Sequence, residues 1–176
     1  MAPNGTASSD DLCRFIRHEA QTVMANDPVF GGSLSAAILD HADFHRAVAH
    51  QIGERLGKTT RERSQFAKIA RDTFLAAPDL VEAASRDLRG IAIHDPATTG
   101  LLPPLLNFKG YVALQVYRVS SWLWSNKRTD LALLLQSERA DSLQMSIHPS
   151  AQTGTSVFLD HATGIIVGAL WRSATR

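Results

Sequence analysis

The sequence predicts a mainly α-helical N-terminal region followed by the start of a parallel β-helix, α+β overall. Three observations carry that expectation. Apolar residues recur at helical spacing from Leu12 to Leu135. Helix start and stop signals such as Thr59-Thr60-Arg61-Glu62 and Ala77-Pro78-Asp79 punctuate the stretch. Past Gln144 the period changes, and Ile147, Thr153, Leu159 and Ile165 recur every six residues. The predicted division is a helical domain over 1–144 and a first, incomplete coil over 145–176.

Helix one is capped by Ser9 or Asp10, puts Leu12, Phe15, Ile16, Ala20 and Val23 on one stripe, and stops at Asn26-Asp27-Pro28. Gly31-Gly32 breaks the chain. Leu34, Ala37, Ile38 and His41 then form a second stripe, and Phe44, Ala47, Val48, Ile52 and Leu56 a third that ends at Gly57. The next helix begins at a capping box, in which the Thr59 hydroxyl accepts a backbone N–H and Glu62 reaches back to the cap. Pro78 starts another, which Asp95-Pro96 stops. Leu101-Leu102-Pro103-Pro104 is read as an apolar loop. From Leu105 to Trp124 a dense apolar set with few polar residues predicts a buried helix, and Leu131 to Leu135 opens the last one.

In the six-residue repeat, each unit makes one flat face of a triangular coil with its lead aliphatic side chain pointing inward, so about 18 residues close a turn. The same spacing also suits a Gly-containing loop before a short strand.

Composition excludes several classes of function. With 18 Lys and Arg against 17 Asp and Glu, the net charge of +1 implies no polyanionic partner such as nucleic acid. No stretch reaches the roughly 20 apolar residues of a membrane span, and the polar start from Met1 to Asp10 lacks the pattern of a signal peptide. Cys13 is the one cysteine, so no intrachain disulfide and no thiolate zinc site is expected. His41 and His45, at i and i+4, lack the carboxylate arrangement of a metalloprotease helix and are read as a solvated face. No metal site is expected, and the compartment is read as cytoplasmic. Tyr117, Trp122 and Trp124 are read as core packing, and Lys109 and Arg118 as solvated or capping.

The words Ile147-His148-Pro149, Leu159-Asp160-His161-Ala162-Thr163-Gly164 and Ile165-Ile166-Val167-Gly168 resemble the opening coil of bacterial serine O-acetyltransferases, which are hexapeptide-repeat enzymes of cysteine biosynthesis. Upstream, Asp95-Pro96-Ala97, the run from Phe108 to Arg118 and Trp122-Leu123-Trp124 resemble that family's helical domain in its order. The likeness covers about Leu12 to Gly168. It implies a left-handed β-helix and transfer of acetyl from acetyl-CoA, a cosubstrate rather than a bound cofactor, to L-serine. It also implies homo-oligomers, a dimer of trimers joined through the helices.

A serine hydroxyl is a poor nucleophile until a positioned base takes its proton, and histidine suits that task near neutral pH. The resemblance places His161 as this base, and Asp160 and Asp95 as the carboxylates that hold the substrate ammonium by charge-assisted hydrogen bonds. Taken alone, an Asp-His pair reads as a surface hydrogen-bonding pair, and Asp95 before Pro96 reads as a turn residue.

Two departures from the family stand out. Just ahead of its Ile-His-Pro word the family has an aspartate that orients the histidine, and that position here is Ser146. After Gly168 the chain reads Ala169 to Arg176 without further hexapeptide units, as in a form truncated after its first coil. The rest of the acetyl-CoA cleft and the tail that docks on cysteine synthase belong to the absent coils. The alternative reading is therefore a catalytically impaired homologue acting as an oligomerisation or regulatory module.

Overall fold

The computed structural model describes residues 8–160 and 163–169. His161 lies outside them, as do Ala162 and the residues after Ala169.

Helix α1 (Ser9–Asn26) buries Leu12, Ile16 and Ala20, one residue per turn. Its cap is Ser8 rather than Ser9 or Asp10. Only from that register does a carboxylate fall at the third helical position: the Asp11 N–H donates to Ser8 Oγ at 3.2 Å and the Ser8 N–H donates to Asp11 Oδ2 at 3.2 Å. A 3₁₀ turn (Pro28–Phe30), the short helix α2 (Gly31–Leu34) and a wide π turn (Ser35–Leu39) follow. Gly31-Gly32 thus opens a helix instead of breaking one. Burial of Leu34 and Ile38 offsets a glycine cost of about 1 kcal/mol per residue.

Helix α3 (Phe44–Leu56) is capped by Asp43, and α4 (Thr60–Ala76) begins at the Thr59–Glu62 capping box read from the sequence. The two pack closely because Gly53 has no side chain, and a Cβ there would lie 2.5 Å from the Arg63 carbonyl oxygen. Helix α5 (Pro78–His94) starts with proline in its first turn.

The expected loop at Leu101–Pro104 is instead the start of helix α6 (Leu102–Asn107). Its first turn tolerates prolines because those N–H groups have no partner within the helix. The cap arrives from α1: the Glu19 carboxylate accepts the Leu101 and Leu102 N–H groups at 3.0 and 2.8 Å.

Helix α7 (Lys109–Ser125) is the central element, buried from Gly110 through Ser120 and again at Leu123. Tyr117 is buried, and Trp122 and Trp124 pack half-buried against the main core, as expected for packing residues. Helix α8 (Thr129–Leu143) runs beside it and ends in a left-handed Gln144, from which strand β1 (Met145–Ile147) leaves.

Strand β1 pairs in parallel with β2 (Ile165–Val167), with Met145 opposite Ile165 and Ile147 opposite Val167. The coil therefore spans 20 residues from Ile147 to Val167, two more than a regular hexapeptide turn. Ile147 does not stack on Ile165 as the six-residue spacing predicted, because the irregular stretch between the strands takes up the extra residues. The chain is thus a helical domain followed by the opening of a β-helix, whose inward Ile147 and Ala151 pack on Leu114 and Tyr117 of α7.

The histidines differ from expectation. Nε2 of both His41 and His45 is buried without a hydrogen-bond partner, the His41 ring lies 4.9 Å from that of His50, and His45 Nδ1 is 2.9 Å from Asp43. His41 lies in the short segment before α3 and His45 in the first turn of α3, and both rings are half-buried against the helices. Burial holds both below the ordinary histidine pKa. Among the described residues no helix is long and apolar enough to cross a membrane, and no cluster of His, Cys, Asp or Glu is placed to hold a metal ion.

Candidate active site

Asp95 is the residue at which α5 ends. Its carboxylate closes the turn that follows, accepting the Ala97 N–H at 2.9 Å through one oxygen and the Thr98 hydroxyl at 3.0 Å through the other. The turn role expected of Asp-Pro is therefore real, and it fixes the carboxylate where the chain leaves the helix.

Asp160 lies at the end of the irregular stretch after β1. The approach depends on Gly110, in the first turn of α7. A Cβ at that position would stand 2.1 Å from the Leu159 carbonyl oxygen, so only glycine lets this backbone lie against the helix. Asp95 and Asp160 thereby line one cavity of about 370 Å³, together with Asn107, Phe108, Lys109, Gly110 and Leu159. Such a volume suits a small polar molecule, and two carboxylates in its lining suit a cation. His161 follows Asp160 in the chain and lies outside the described residues. Beyond it, Lys109 Nζ donates to Thr163 Oγ1.

Ser146 lies in β1, and its hydroxyl accepts from Gln136 Nε2 at 3.2 Å. Its hydroxyl is neutral and carries no charge. Arg139 of α8, fully buried, donates to the carbonyls of Met145 and Ile147 on either side of Ser146. Those carbonyls point away from β2, so the guanidinium covers the open edge of the sheet. Burial lowers its pKa to about 10, partly opposed by the nearby Tyr117. Farther along the coil, the Tyr117 hydroxyl donates to the Ala151 carbonyl at 2.5 Å.

Arg118, read as solvated or capping, is buried. Its guanidinium grips the fully buried Asp87 carboxylate through Nε at 2.7 Å and Nη2 at 2.8 Å. Gln115 donates to the same carboxylate at 3.1 Å. The sequence held a signal for this network. Asp87 interrupts the apolar stripe of Ala83, Ala84, Leu88 and Ile91, and Gln115 and Arg118 interrupt that of α7. A charge on a buried face demands a partner. The partner's position, 31 residues away, is set by helix packing alone.

Known proteins with the same architecture can be set beside this geometry. The family model described as serine acetyltransferase, N-terminal, matches residues 13–116. The serine acetyltransferase of Escherichia coli K12 is 33% identical over 153 residues, 87% of this chain and 56% of that protein. The crystal structure of serine acetyltransferase from Brucella abortus strain S19 superposes with a TM-score of 0.88 at 36% identity, over 93% of this chain and 67% of that one. A serine acetyltransferase solved in complex with CoA gives a TM-score of 0.89 at 30% identity, over 92% of this chain and 69% of that one. The chain spans about half the length of the curated relatives it matches. With the model matching more than half of its residues, the chain belongs to the serine acetyltransferase family.

Proposed function

We propose that the protein is a serine O-acetyltransferase that moves the acetyl group of acetyl-CoA to L-serine. The observation that carries this reading is the convergence of Asp95 and Asp160, 65 residues apart in sequence, on one cavity in a chain of this family.

In this reading the two carboxylates hold the serine ammonium, which aims the hydroxyl toward His161. His161 takes the hydroxyl proton as Oγ attacks the thioester carbonyl carbon. The tetrahedral adduct then collapses, the carbon–sulfur bond breaks, and CoA leaves with the proton that the imidazolium returns. O-acetylserine and free CoA are the products. With Ser146 at the position of the family's orienting aspartate, no carboxylate there stabilises the imidazolium. The nearest analogue, Asp to Asn in a serine-protease triad, costs about 10⁴ in rate, so the expected turnover is slow.

The same reading includes a helical domain over 1–144, a coil beginning at 145, and a homo-oligomer built as a dimer of trimers through the helices. Val29 and Phe30, exposed apolar residues of the helical domain, support such an assembly. A lone cysteine and metabolic substrates support the cytoplasm as the compartment.

The deciding experiment is thiol release from acetyl-CoA with and without L-serine, for the parent and His161→Ala. Serine-dependent release in the parent and a loss of about 10²-fold or more in the variant are expected. A parent without serine-dependent release overturns the proposal.

A further inference from the structure

The buried carboxylate and guanidinium between α5 and α7 take no part in the proposed chemistry, yet they reach the segment that carries it. Besides Arg118 and Gln115, the Asp87 carboxylate accepts the backbone N–H of Val157 at 3.0 Å. Arg118 Nη2, already bound to Asp87, also donates to the Gly154 carbonyl at 2.9 Å. One buried cluster therefore holds the coil at two backbone points, three residues apart.

Thr153 to Asp160 form neither helix nor strand, so no ladder fixes where this backbone lies. Tethers must do so. Val157 stands three residues before Asp160, within about 10 Å of extended chain, and Leu159 rests against Gly110. A buried ion pair contributes little net stability compared with well-packed apolar residues of the same volume. Directional bonds are what this pair supplies and an apolar pair could not.

We propose that Asp87 and Arg118 are positioning residues, whose hydrogen bonds to Gly154 and Val157 set the approach of Asp160 to Asp95 and with it the affinity for the substrate amino group. This rests on the reading of the cavity as the serine site.

Removing the Asp87 charge strands a buried cation and threatens folding, so Arg118→Lys is the principal variant. It keeps the charge but loses the planar fork that spans Asp87 and Gly154. Cooperative thermal unfolding of the variant establishes that it folds. The serine KM is then expected to rise about tenfold or more while the acetyl-CoA KM stays within about twofold, because a misplaced binding group costs up to about 10²-fold. Amide hydrogen exchange supplies a readout independent of turnover. Peptides covering 152–160 should exchange at least about tenfold faster than in the parent, with α1 and α3 unchanged. Unchanged exchange in 152–160, or an unchanged serine KM in an active, folded variant, overturns the positioning role. A parent with no serine-dependent thiol release overturns instead the functional reading on which it rests.

Discussion

At the scale of single residues, the proposed chemistry turns on what surrounds two carboxylates and one hydroxyl. Asp95 serves the turn after α5 as well as the cavity, so its variants must be chosen to separate the two. Asp95→Asn retains an acceptor for the Ala97 N–H but loses the charge. It should fold with near-parental stability and raise the serine KM by about tenfold or more, in keeping with a hydrogen bond to a charged group of about 1.5–3 kcal/mol. Steady-state kinetics with varied serine checks this. Ser146→Asp restores a carboxylate at the position where the family has its orienting aspartate, and under the proposed function kcat should rise by about tenfold or more, within the span set by the triad analogue. A kcat no higher than the parent's would mean that the Ser146 position has no bearing on the base. Local patterning alone indicated Asp95 as a turn residue and Asp160 as half of an ordinary pair. Their meeting on one cavity depends on contacts no local pattern encodes.

At the scale of elements, the coil is anchored to the helices more than to itself. Two strands of three residues make a short ladder, and the rest of the attachment is side chain to backbone. Arg139 covers the outer carbonyls of β1, Tyr117 holds Ala151, and Gly110 admits Leu159. Arg139→Lys should destabilise the protein by about 1–3 kcal/mol, since one ammonium cannot span both carbonyls and a buried acceptor is left unmade. Denaturant unfolding measures it. Gly110→Ala forces a methyl group against the Leu159 carbonyl, and overpacking of this kind costs about 1–3 kcal/mol. Its larger expected effect is on serine binding, through displacement of Asp160. The capping box at Thr59 and the proline start at Pro78 were legible because their partners lie within one turn. The cap of α6 was not, since Glu19 reaches it from α1.

At the scale of the whole molecule, stability should fall on mild acidification. His41 and His45 have folded pKa values lowered by burial, so the unfolded chain binds the extra protons first. The stability they contribute is present above the unfolded value of about 6.5 and is lost as pH falls below it. Thermal unfolding between pH 7.5 and 5.5 should show a falling midpoint, and a double His41→Gln, His45→Gln variant should show a flatter profile than the parent. The long helices, the change of period after Gln144 and the family were legible in the sequence, because helical stripes, caps and the Leu159–Gly164 word are local in the chain. Packing alone settles the 20-residue coil, the burial of Arg118 and Asp87, the partial burial of His41 and His45, and the joining of Asp95 to Asp160 on one cavity. The coil, the ion pair and the cavity depend on residues that packing brings together across 20, 31 and 65 positions, and a spacing rule reads only neighbours.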